Sequence, residues 1–333
     1  MSDSGKKSIA NKVIYQLVTA EEAGQRLDNY LFRQLKGVPR SHVYRVLRGG
    51  EVRVNKKRCA VDYRLQEGDR VRLPPMRVAA RDEPEAPAAG WVELPILYED
   101  AALLVIDKPA GVAVHGGSGV SFGVIETLRR QRAEARFLEL AHRLDKETSG
   151  ILLIGKKRAA LTKLHDMFRE AGQVADKRYL MLVKGRWMNP VQQVKLPLHK
   201  YLLESGERRV RVDVENGKPA HTVFRLIARW QRFCLLEAQL KTGRTHQLRV
   251  HLAHLGYPIL GDEKYGDFAL NKALQKEGLK RMALHAGRMT FPHPLEEKQL
   301  RLTAPLPEPL RRFIAHLDAV ETREFNAEIS ENT

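Results

Sequence analysis

One carboxylate between two cations is the feature of this sequence that points most directly to chemistry. Asp145 stands two residues after Arg143 and one before Lys146, in the segment HRLDKETSG at residues 142–150. A cation close to a carboxyl group favours its ionised form, and an ionised, positioned aspartate serves as a nucleophile or a general base. The spacing alone also fits a surface ion pair, because such pairs are common and contribute little.

The charge balance favours a polyanionic partner. The 333 residues include 57 Lys and Arg against 40 Asp and Glu, which gives a formal charge of +17. Lys and Arg that contact phosphates release counterions, so this balance favours nucleic acid over a surface that is basic only for solubility. The length is sufficient for two domains and for a substantial core in at least one of them.

The cysteine count and the hydropathy pattern indicate the compartment. Cys59 and Cys234 are far apart, so neither a disulfide framework nor a cysteine metal site is expected. Residues 1–11 contain no apolar stretch of signal-peptide length. No run approaches the roughly 20 apolar residues that span a bilayer. We therefore expect a soluble, cytoplasmic protein with no membrane partner.

Composition along the chain predicts two domains between two polar tails. The segment before the large domain is rich in Pro, Ala and charged residues, as linkers are. The predicted divisions are a tail at residues 1–20, a small domain at 21–75, a linker at 76–91, a large domain at 92–318 and a polar C-terminal tail at 319–333.

The pattern of the small domain predicts two helices followed by strands. Apolar residues recur at helical spacing from Leu27 to Leu35, and a second helix is expected to start at Ser41, a good N-cap. Residues 52–54 and 70–73 alternate as strands do. Residues 21–77 hold 14 Lys and Arg against 7 Asp and Glu, a net charge of +7.

The small domain resembles an S4 RNA-binding domain. It matches R-L-D-x-x-L at residues 26–31 and S-x-x-x-x-x-L-x-x-G-x-V-x-V-N at residues 41–55. The resemblance implies a basic face that contacts RNA phosphates, which positions RNA without reading its sequence; a solvated polar face is the alternative interpretation. The residues expected on this face are Arg40, Arg45, Arg48, Arg53, Lys56 and Lys57.

The large domain mixes strands and helices without strict alternation, which predicts an α+β fold. Strands are predicted at residues 103–106, 179–183 and 234–238, and helices at residues 121–132, 158–170 and 245–255. Thr245 is the expected cap of the last of these helices. By themselves, Tyr179 fits a core position and Arg249 fits a solvated helix face.

In their order along the chain, the motifs of this domain resemble the ribosomal RluA-type pseudouridine synthases. Residues 142–150 match every specified position of the signature H-R-L-D-x-x-T-S-G, and residues 177–179 and 242–251 resemble K-x-Y and T-G-R-T-H-Q-I-R-x-H. The resemblance runs from about residue 22 to 315. It implies a catalytic domain with a central mixed, mainly antiparallel sheet, in which residues 261–266 and 284–286 are structural or shape the substrate site.

The resemblance also implies roles for single residues. Asp145 is the expected nucleophile, and Arg249 is the cation that pairs with it. Tyr179 is expected to stack on a uracil taken out of the RNA stack and to assist proton removal from C5. Arg143 is expected to fill the space that the uracil leaves in the RNA stack or to hold a neighbouring phosphate. Further substrate contacts are expected from Arg244, His246, Lys108 and His115.

The implied reaction converts specific uridines of 23S ribosomal RNA to pseudouridine. The N1–C1′ bond breaks, the uracil turns, and C5 joins C1′, with no net oxidation and therefore no cofactor. His246, His251 and His254 lie five and three residues apart without the Glu of an HExxH motif, so we expect no metal site. The expected partner is 23S ribosomal RNA or a large-subunit assembly intermediate, and the expected state is a monomer.

Three questions stay open at this point. The residues do not decide whether Asp145 attacks C1′ or the base. A non-catalytic S4-type RNA-binding accessory protein of ribosome assembly is one alternative, in which Asp145 is only an ion-pair member. A different RNA-modifying enzyme, such as a methyltransferase, is another, although the loop at Gly116-Gly117 is a poor candidate for a methyl-donor site.

Overall fold

The computed structural model describes residues 13–331, except for residues 21, 36–37, 77–92, 117–121, 136 and 170–174. The chain divides into two compact units, Met1–Trp91 and Val92–Thr333. The predicted linker, apart from Met76, and most of the predicted N-terminal tail lie outside the described residues.

The first unit combines two short helices with a three-stranded antiparallel sheet of order β1-β3-β2. Its elements are β1 (Ile14–Leu17), α1 (Leu27–Gln34), α2 (Arg40–Arg48), β2 (Arg53–Val54) and β3 (Arg70–Leu73). Leu31 of α1, Val43 of α2 and Val71 of β3 are completely buried in one core. Helix α2 begins at Arg40 and its N-cap is Pro39, two residues before the predicted Ser41 cap, so that prediction is wrong.

The second unit is built on a ten-stranded sheet, whose main path is β4-β5-β7-β14-β8-β13-β12-β9. Only β7 and β14 pair in parallel among the described pairings of this sheet, so the predicted mixed, mainly antiparallel sheet is confirmed. The first strands are β4 (Ile96–Glu99), β5 (Leu103–Lys108), β6 (Glu139–Leu140), β7 (Ser149–Gly155), β8 (Asp176–Lys184) and β9 (Val191–Val194). The others are β10 (Leu198–Leu202), β11 (Arg208–Val212), β12 (Thr222–Arg229), β13 (Phe233–Leu240), β14 (Leu284–Pro292) and β15 (Gln299–Thr303); β10 and β11 form a separate hairpin sheet.

Both faces of the sheet are covered, which explains the unbroken apolar runs in the sequence. Leu104 of β5 and Leu152 of β7 belong to one buried cluster, whereas Leu103 and Leu153 belong to another. A strand that is buried on both faces does not show apolar–polar alternation. The helices of this unit are α3 (Val124–Gln131), α4 (Arg158–Arg169), α5 (Gln247–His254), α6 (Phe268–Lys276) and α7 (Glu308–Glu331).

Helix α7 extends into the segment predicted to be a polar C-terminal tail. The helix begins at Glu308 and continues to Glu331, well past the predicted boundary at residue 318. Leu310, Phe313 and Leu317 are buried at helical spacing, and this periodicity in the sequence indicates where the helix is anchored. Among the helices that the structure describes, none is long and apolar enough to cross a membrane.

The parallel pairing of β7 with β14 depends on the end of the HRLDKETSG segment. Gly150 lies opposite Ala286 with φ +111, and a Cβ atom at Gly150 would collide with the carbonyl oxygen of Ala286. Arg281 Nη2 donates to Ser149 Oγ at 2.7 Å, so the Ser149 hydroxyl proton is left for His285 Nδ1 at 2.9 Å. These contacts fix the strand that directly follows the Asp145 loop.

We expect Gly150→Ala to lower the free energy of unfolding of the second unit by about 2–6 kcal/mol. The left-handed conformation costs about 1–3 kcal/mol for a residue with a side chain, and the collision adds about 1–3 kcal/mol. Urea denaturation measures the change. The control is Gly278→Ala, where φ is +102 but nothing lies within 4 Å of the added Cβ; equal losses for both variants would contradict the steric role of Gly150.

Candidate active site

A cavity of about 440 Å³ in the second unit collects six of the eight site residues predicted there. Its walls include residues 141–145 before β7, Lys177 and Tyr179 of β8, and residues 242–249 from the end of β13 to the first turn of α5. Asp145 is the one carboxylate among the described lining residues. The cations that line the cavity are Arg143, Arg169, Lys177, Arg244 and Arg249.

Asp145 is held by a buried arginine that is shared with a second carboxylate. Arg249 Nη1 donates to Asp145 Oδ2 at 2.9 Å, while its Nε and Nη2 donate to the two oxygens of Asp262 at 2.7 and 2.8 Å. Burial works against the charge of Arg249. The hydrogen bond and charge of Asp262, with the charge of Asp145, outweigh burial and hold the pKa of Arg249 above its usual value.

The ring of His246 lies near the same carboxylate oxygen, beyond hydrogen-bond distance. It is the N-cap of α5 in the left-handed conformation, with φ 54, so the predicted Thr245 cap is wrong. Tyr265 Oη accepts from the Val210 N–H at 3.0 Å, so its own proton goes to His246 Nδ1 at 2.8 Å. The proton of the neutral ring is then on Nε2, 3.7 Å from Asp145 Oδ2. Burial lowers the pKa of His246 to about 4, which keeps the ring neutral at pH 7.

Tyr179 lies in the same cavity with a protonated hydroxyl group. Its side chain is buried, and Tyr179 and Lys177 are the residues of strand β8 that line the cavity. Burial, and then the negative charge of Asp145, raise the pKa of Tyr179 above its usual value. The ring is therefore available as a neutral apolar surface at physiological pH.

Gln247 shapes the loop before α5, and sequence analysis assigned it no function. Its Oε1 accepts from Thr242 Oγ1 at 2.8 Å and from the Arg244 N–H at 3.0 Å. Its Nε2 donates to the His221 carbonyl and to Thr222 Oγ1, both at 3.0 Å. A buried side chain with four such partners fixes the loop that carries Arg244 and His246.

Arg143 and Arg244 are exposed lining residues, which is compatible with their predicted substrate contacts. The Nε of Arg244 donates to the Pro219 carbonyl at 3.1 Å, which directs its guanidinium group. Arg143 forms no ion pair with a carboxylate of the described residues, so its charge is available to an RNA phosphate.

The structure does not support direct substrate contacts by Lys108 and His115. Lys108 is fully buried, and its ammonium group donates to the carbonyl oxygens of Pro109, Val112 and Lys146 at 2.8, 2.8 and 3.0 Å. These three hydrogen bonds tie two loops together. Burial lowers the pKa of Lys108 to about 7. His115 is exposed and is not among the residues that line the cavity.

Lys177 is a cavity residue that sequence analysis placed in a motif but not in the site. Its Nζ lies 3.8 Å from the centroid of the Phe168 ring, and no carboxylate of the described residues forms an ion pair with it. Burial lowers the pKa of Lys177 to about 8, so the ammonium form still predominates at pH 7. A partly buried cation without an anionic partner is a candidate for contact with RNA phosphate.

The residues predicted to form a basic face all belong to the first unit. Asn55 and Lys56 form a two-residue turn with φ 51 and 67, as a tight hairpin requires. Among the residues that the structure describes, no carboxylate forms an ion pair with any member of the face. All six members are exposed: Arg40, Arg45, Arg48, Arg53, Lys56 and Lys57.

One group of possible metal ligands in the described residues, Asp100 with His293 and Glu296, is already occupied by internal contacts. His293 Nδ1 accepts from the Leu295 N–H, so its Nε2 donates to Asp100 at 2.9 Å. Lys298 contacts both carboxylates. None of the three possible ligands lines the cavity. Their contacts fit a structural cluster better than a metal centre.

Comparison with known proteins agrees with this arrangement. Residues 102–254 match the family model described as RNA pseudouridylate synthase, and residues 25–71 match the S4 domain. "Ribosomal large subunit pseudouridine synthase C" of Escherichia coli strain K12 is 51% identical over 306 residues, which cover 90% of this chain and 95% of that protein. The protein of the same name from Haemophilus ducreyi is 48% identical over 320 residues, covering 94% and 98%.

A solved structure shows the same fold. "Human RNA Pseudouridylate Synthase Domain Containing 4" is 28% identical, with a TM-score of 0.55 over 67% of this chain and 93% of that chain. The chain therefore belongs to the RNA pseudouridylate synthase family, with an S4 domain preceding its catalytic domain. It is an enzyme, and the alternative of a non-catalytic RNA-binding accessory protein is not favoured.

We expect Lys177→Met to weaken RNA binding without unfolding the protein. The substitution preserves the length of the side chain and removes an unpaired charge, so KM for an RNA substrate should rise about tenfold, the loss that corresponds to about 1.4 kcal/mol. The plot of log binding constant against log salt should become less steep by about one. The control is Lys163→Met on the exposed side of α4, and an unchanged KM for Lys177→Met would contradict the role.

Proposed function

We propose that this protein isomerises uridines of large-subunit 23S ribosomal RNA to pseudouridine, with Asp145 as the nucleophile. The names of relatives that match over nearly their whole length support the substrate. The S4 fold and the formal charge of +17 support an RNA partner. The observation that carries the catalytic part is the contact of Asp145 with the buried Arg249 at the wall of the cavity.

The proposed chemistry needs one carboxylate and no electron transfer. The N1–C1′ bond breaks, the enclosed uracil turns, and a C5–C1′ bond forms; the proton lost from C5 is balanced by the proton gained at N1. Among the described residues, both neighbouring donors approach Oδ2 of Asp145, and Oδ1 accepts no hydrogen bond. We propose that Oδ1 is the attacking atom, whether the attack is on C1′ or on the base.

We propose a stacking role for Tyr179 and no role for it as proton acceptor. The raised pKa of Tyr179 keeps its phenol protonated, and a protonated phenol does not take the C5 proton. A flipped uracil needs a flat apolar surface, which a buried aromatic ring supplies. Arg143, Arg244 and His246 line the same cavity and remain proposed substrate contacts.

The structural observations make a purely non-catalytic accessory protein the weaker alternative. Such a protein needs the basic face of the S4 unit but not a buried arginine aimed at a carboxylate in a cavity. Ribosomal RNA as substrate implies a cytoplasmic location. We further propose that the protein acts as a monomer and that a partly assembled subunit is an alternative substrate to the free RNA.

Tritium release from RNA with 5-tritiated uridine tests the nucleophile. We expect wild-type protein, incubated with large-subunit ribosomal RNA and no cofactor, to release tritium, and Asp145→Asn to lower the rate by at least about a thousandfold, because the amide is not a nucleophile. RNA binding by the variant, measured by filter retention, should stay within about threefold, a change below 1 kcal/mol.

The matched control is Glu147→Gln, two residues further along the loop. Glu147 does not line the cavity, so the Glu147→Gln protein should release tritium at the wild-type rate. Equal loss in both variants would indicate damage to the loop. Absence of release by wild-type protein that binds the RNA would overturn the proposed reaction on this substrate.

The double substitution Arg45→Gln/Arg48→Gln tests the basic face of the first unit. Each lost phosphate contact should reduce the slope of log binding constant against log salt by about 0.7–0.9, so we expect a reduction of about 1.5 with kcat unchanged. Arg311→Gln/Arg312→Gln removes the same charge from residues that pair with Glu308. An identical reduction in that control would show that only net charge matters.

A further inference from the structure

We infer that Asp262 is a positioning residue of the reaction, which holds Arg249 so that a single nitrogen of its guanidinium group is directed at the nucleophile. The inference rests on the proposed role of Asp145 and deepens it. Asp262 touches no substrate site and does not line the cavity. Its action is therefore exerted through Arg249.

The geometry of the guanidinium group is the first argument. A planar guanidinium bound through Nε and Nη2 to both oxygens of one carboxylate has its plane and its direction fixed. Asp262 makes both of these bonds to Arg249, at 2.7 and 2.8 Å. The remaining nitrogen, Nη1, then meets Asp145 at 2.9 Å. Without Asp262, the side chain of Arg249 could turn to bind Asp145 with two nitrogens, and Oδ1 of Asp145 would no longer be free.

The charge of Asp262 is the second argument. Asp262, Arg249 and Asp145 form a group of two anions and one cation, of which Asp262 and Arg249 are almost fully buried. Because Arg249 pairs with both carboxylates, its positive charge only partly balances the negative charge of Asp145. The carboxylate of Asp145 is oriented by a cation and still carries negative charge into the cavity, as a nucleophile requires.

The turn that carries Asp262 is itself rigid. Asp262 Oδ1 accepts from the backbone N–H groups of Lys264 and Tyr265 at 2.8 and 3.1 Å. Asn271 accepts from the Gly261 N–H at 2.8 Å and donates to the Asp262 carbonyl at 3.0 Å. A Cβ atom on Gly266 would collide with that carbonyl oxygen. Because the turn is held by its own contacts, Asp262 keeps its position and fixes that of Arg249.

The same turn also fixes the ring of His246 near Asp145. Tyr265, three residues after Asp262, donates to His246 Nδ1 and thereby sets the tautomer that directs Nε2–H at Asp145. One turn of the chain therefore controls both groups that approach Oδ2. The alternative is that Asp262 only stabilises the fold as a buried ion pair.

Single-turnover kinetics separate the two possibilities. At saturating enzyme, the rate constant for tritium release does not depend on the fraction of protein that is folded, so a purely structural defect leaves it unchanged. We expect Asp262→Asn to lower this rate constant about 30-fold, by analogy with the 10–100-fold losses seen when the hydrogen-bond partner of a metal ligand is removed. The half-saturating enzyme concentration should change by less than about threefold.

A double-substitution cycle tests the route of the effect. If Asp262 acts through Arg249, then Asp262→Asn should add little to the loss caused by Arg249→Met, because the interaction is already absent. The matched control is Glu263→Gln, an exposed neighbouring carboxylate, which should react at the wild-type rate. An unchanged rate constant for Asp262→Asn, or losses that multiply in the double variant, would overturn the inference.

A second variant covers the case in which Asp262→Asn does not fold. Asp262→Ser leaves a space beside Arg249, and a separate opening of about 460 Å³ lined by Gly261, Lys264 and Arg249 leads to this region. We expect sodium formate to raise the rate constant of Asp262→Ser at least about tenfold above its value in sodium chloride at equal ionic strength. Folded Asp262→Ser that formate does not restore would also overturn the inference. Inactive wild-type protein would instead be a failure of the proposed reaction.

Discussion

The requirement to balance the charge of one buried arginine organises the catalytic unit. A guanidinium group removed from water is tolerated only when carboxylates and hydrogen bonds replace its hydration. Arg249 is about 8% exposed and meets this requirement with Asp262 and Asp145 together. Because Asp262 lies on a rigid turn, the position of Arg249 is fixed. The Asp145 loop must therefore place its carboxylate within reach of Arg249.

The sheet supplies that placement. The Asp145 loop ends where β7 pairs in parallel with β14, and this close approach requires Gly150. Lys108 ties the preceding loop to the Lys146 carbonyl, one residue from Asp145. The segment HRLDKETSG therefore has two physical parts. One is the carboxylate of Asp145, the proposed nucleophile at the cavity, and the other is the set of flanking residues that hold the loop against neighbouring strands.

The cavity around this pair has a charge distribution suited to RNA. The charge of Arg249 is balanced by Asp262, which does not line the cavity. Arg143 and Lys177 line it and have no ion-pair partner among the described carboxylates. Phosphates can therefore approach cations at the wall while the one lining carboxylate, Asp145, stays oriented by Arg249. The exposed Lys and Arg residues of the S4 unit are the proposed second set of phosphate contacts.

The sequence by itself determined what depends on neighbouring residues and on local patterns. It identified the HRLD segment, the S4 pattern, the strands and helices of the α+β domain, and the pairing of Asp145 with Arg249 through resemblance. It assigned Lys108 a substrate contact, although the side chain is fully buried. It placed Asp262 only within a segment that is structural or shapes the substrate site, because burial and partners arise from residues far apart in the chain. Only the tertiary structure decided that one lysine ties loops together and that Asp262 holds Arg249, since these roles follow from distances between elements rather than from residue types.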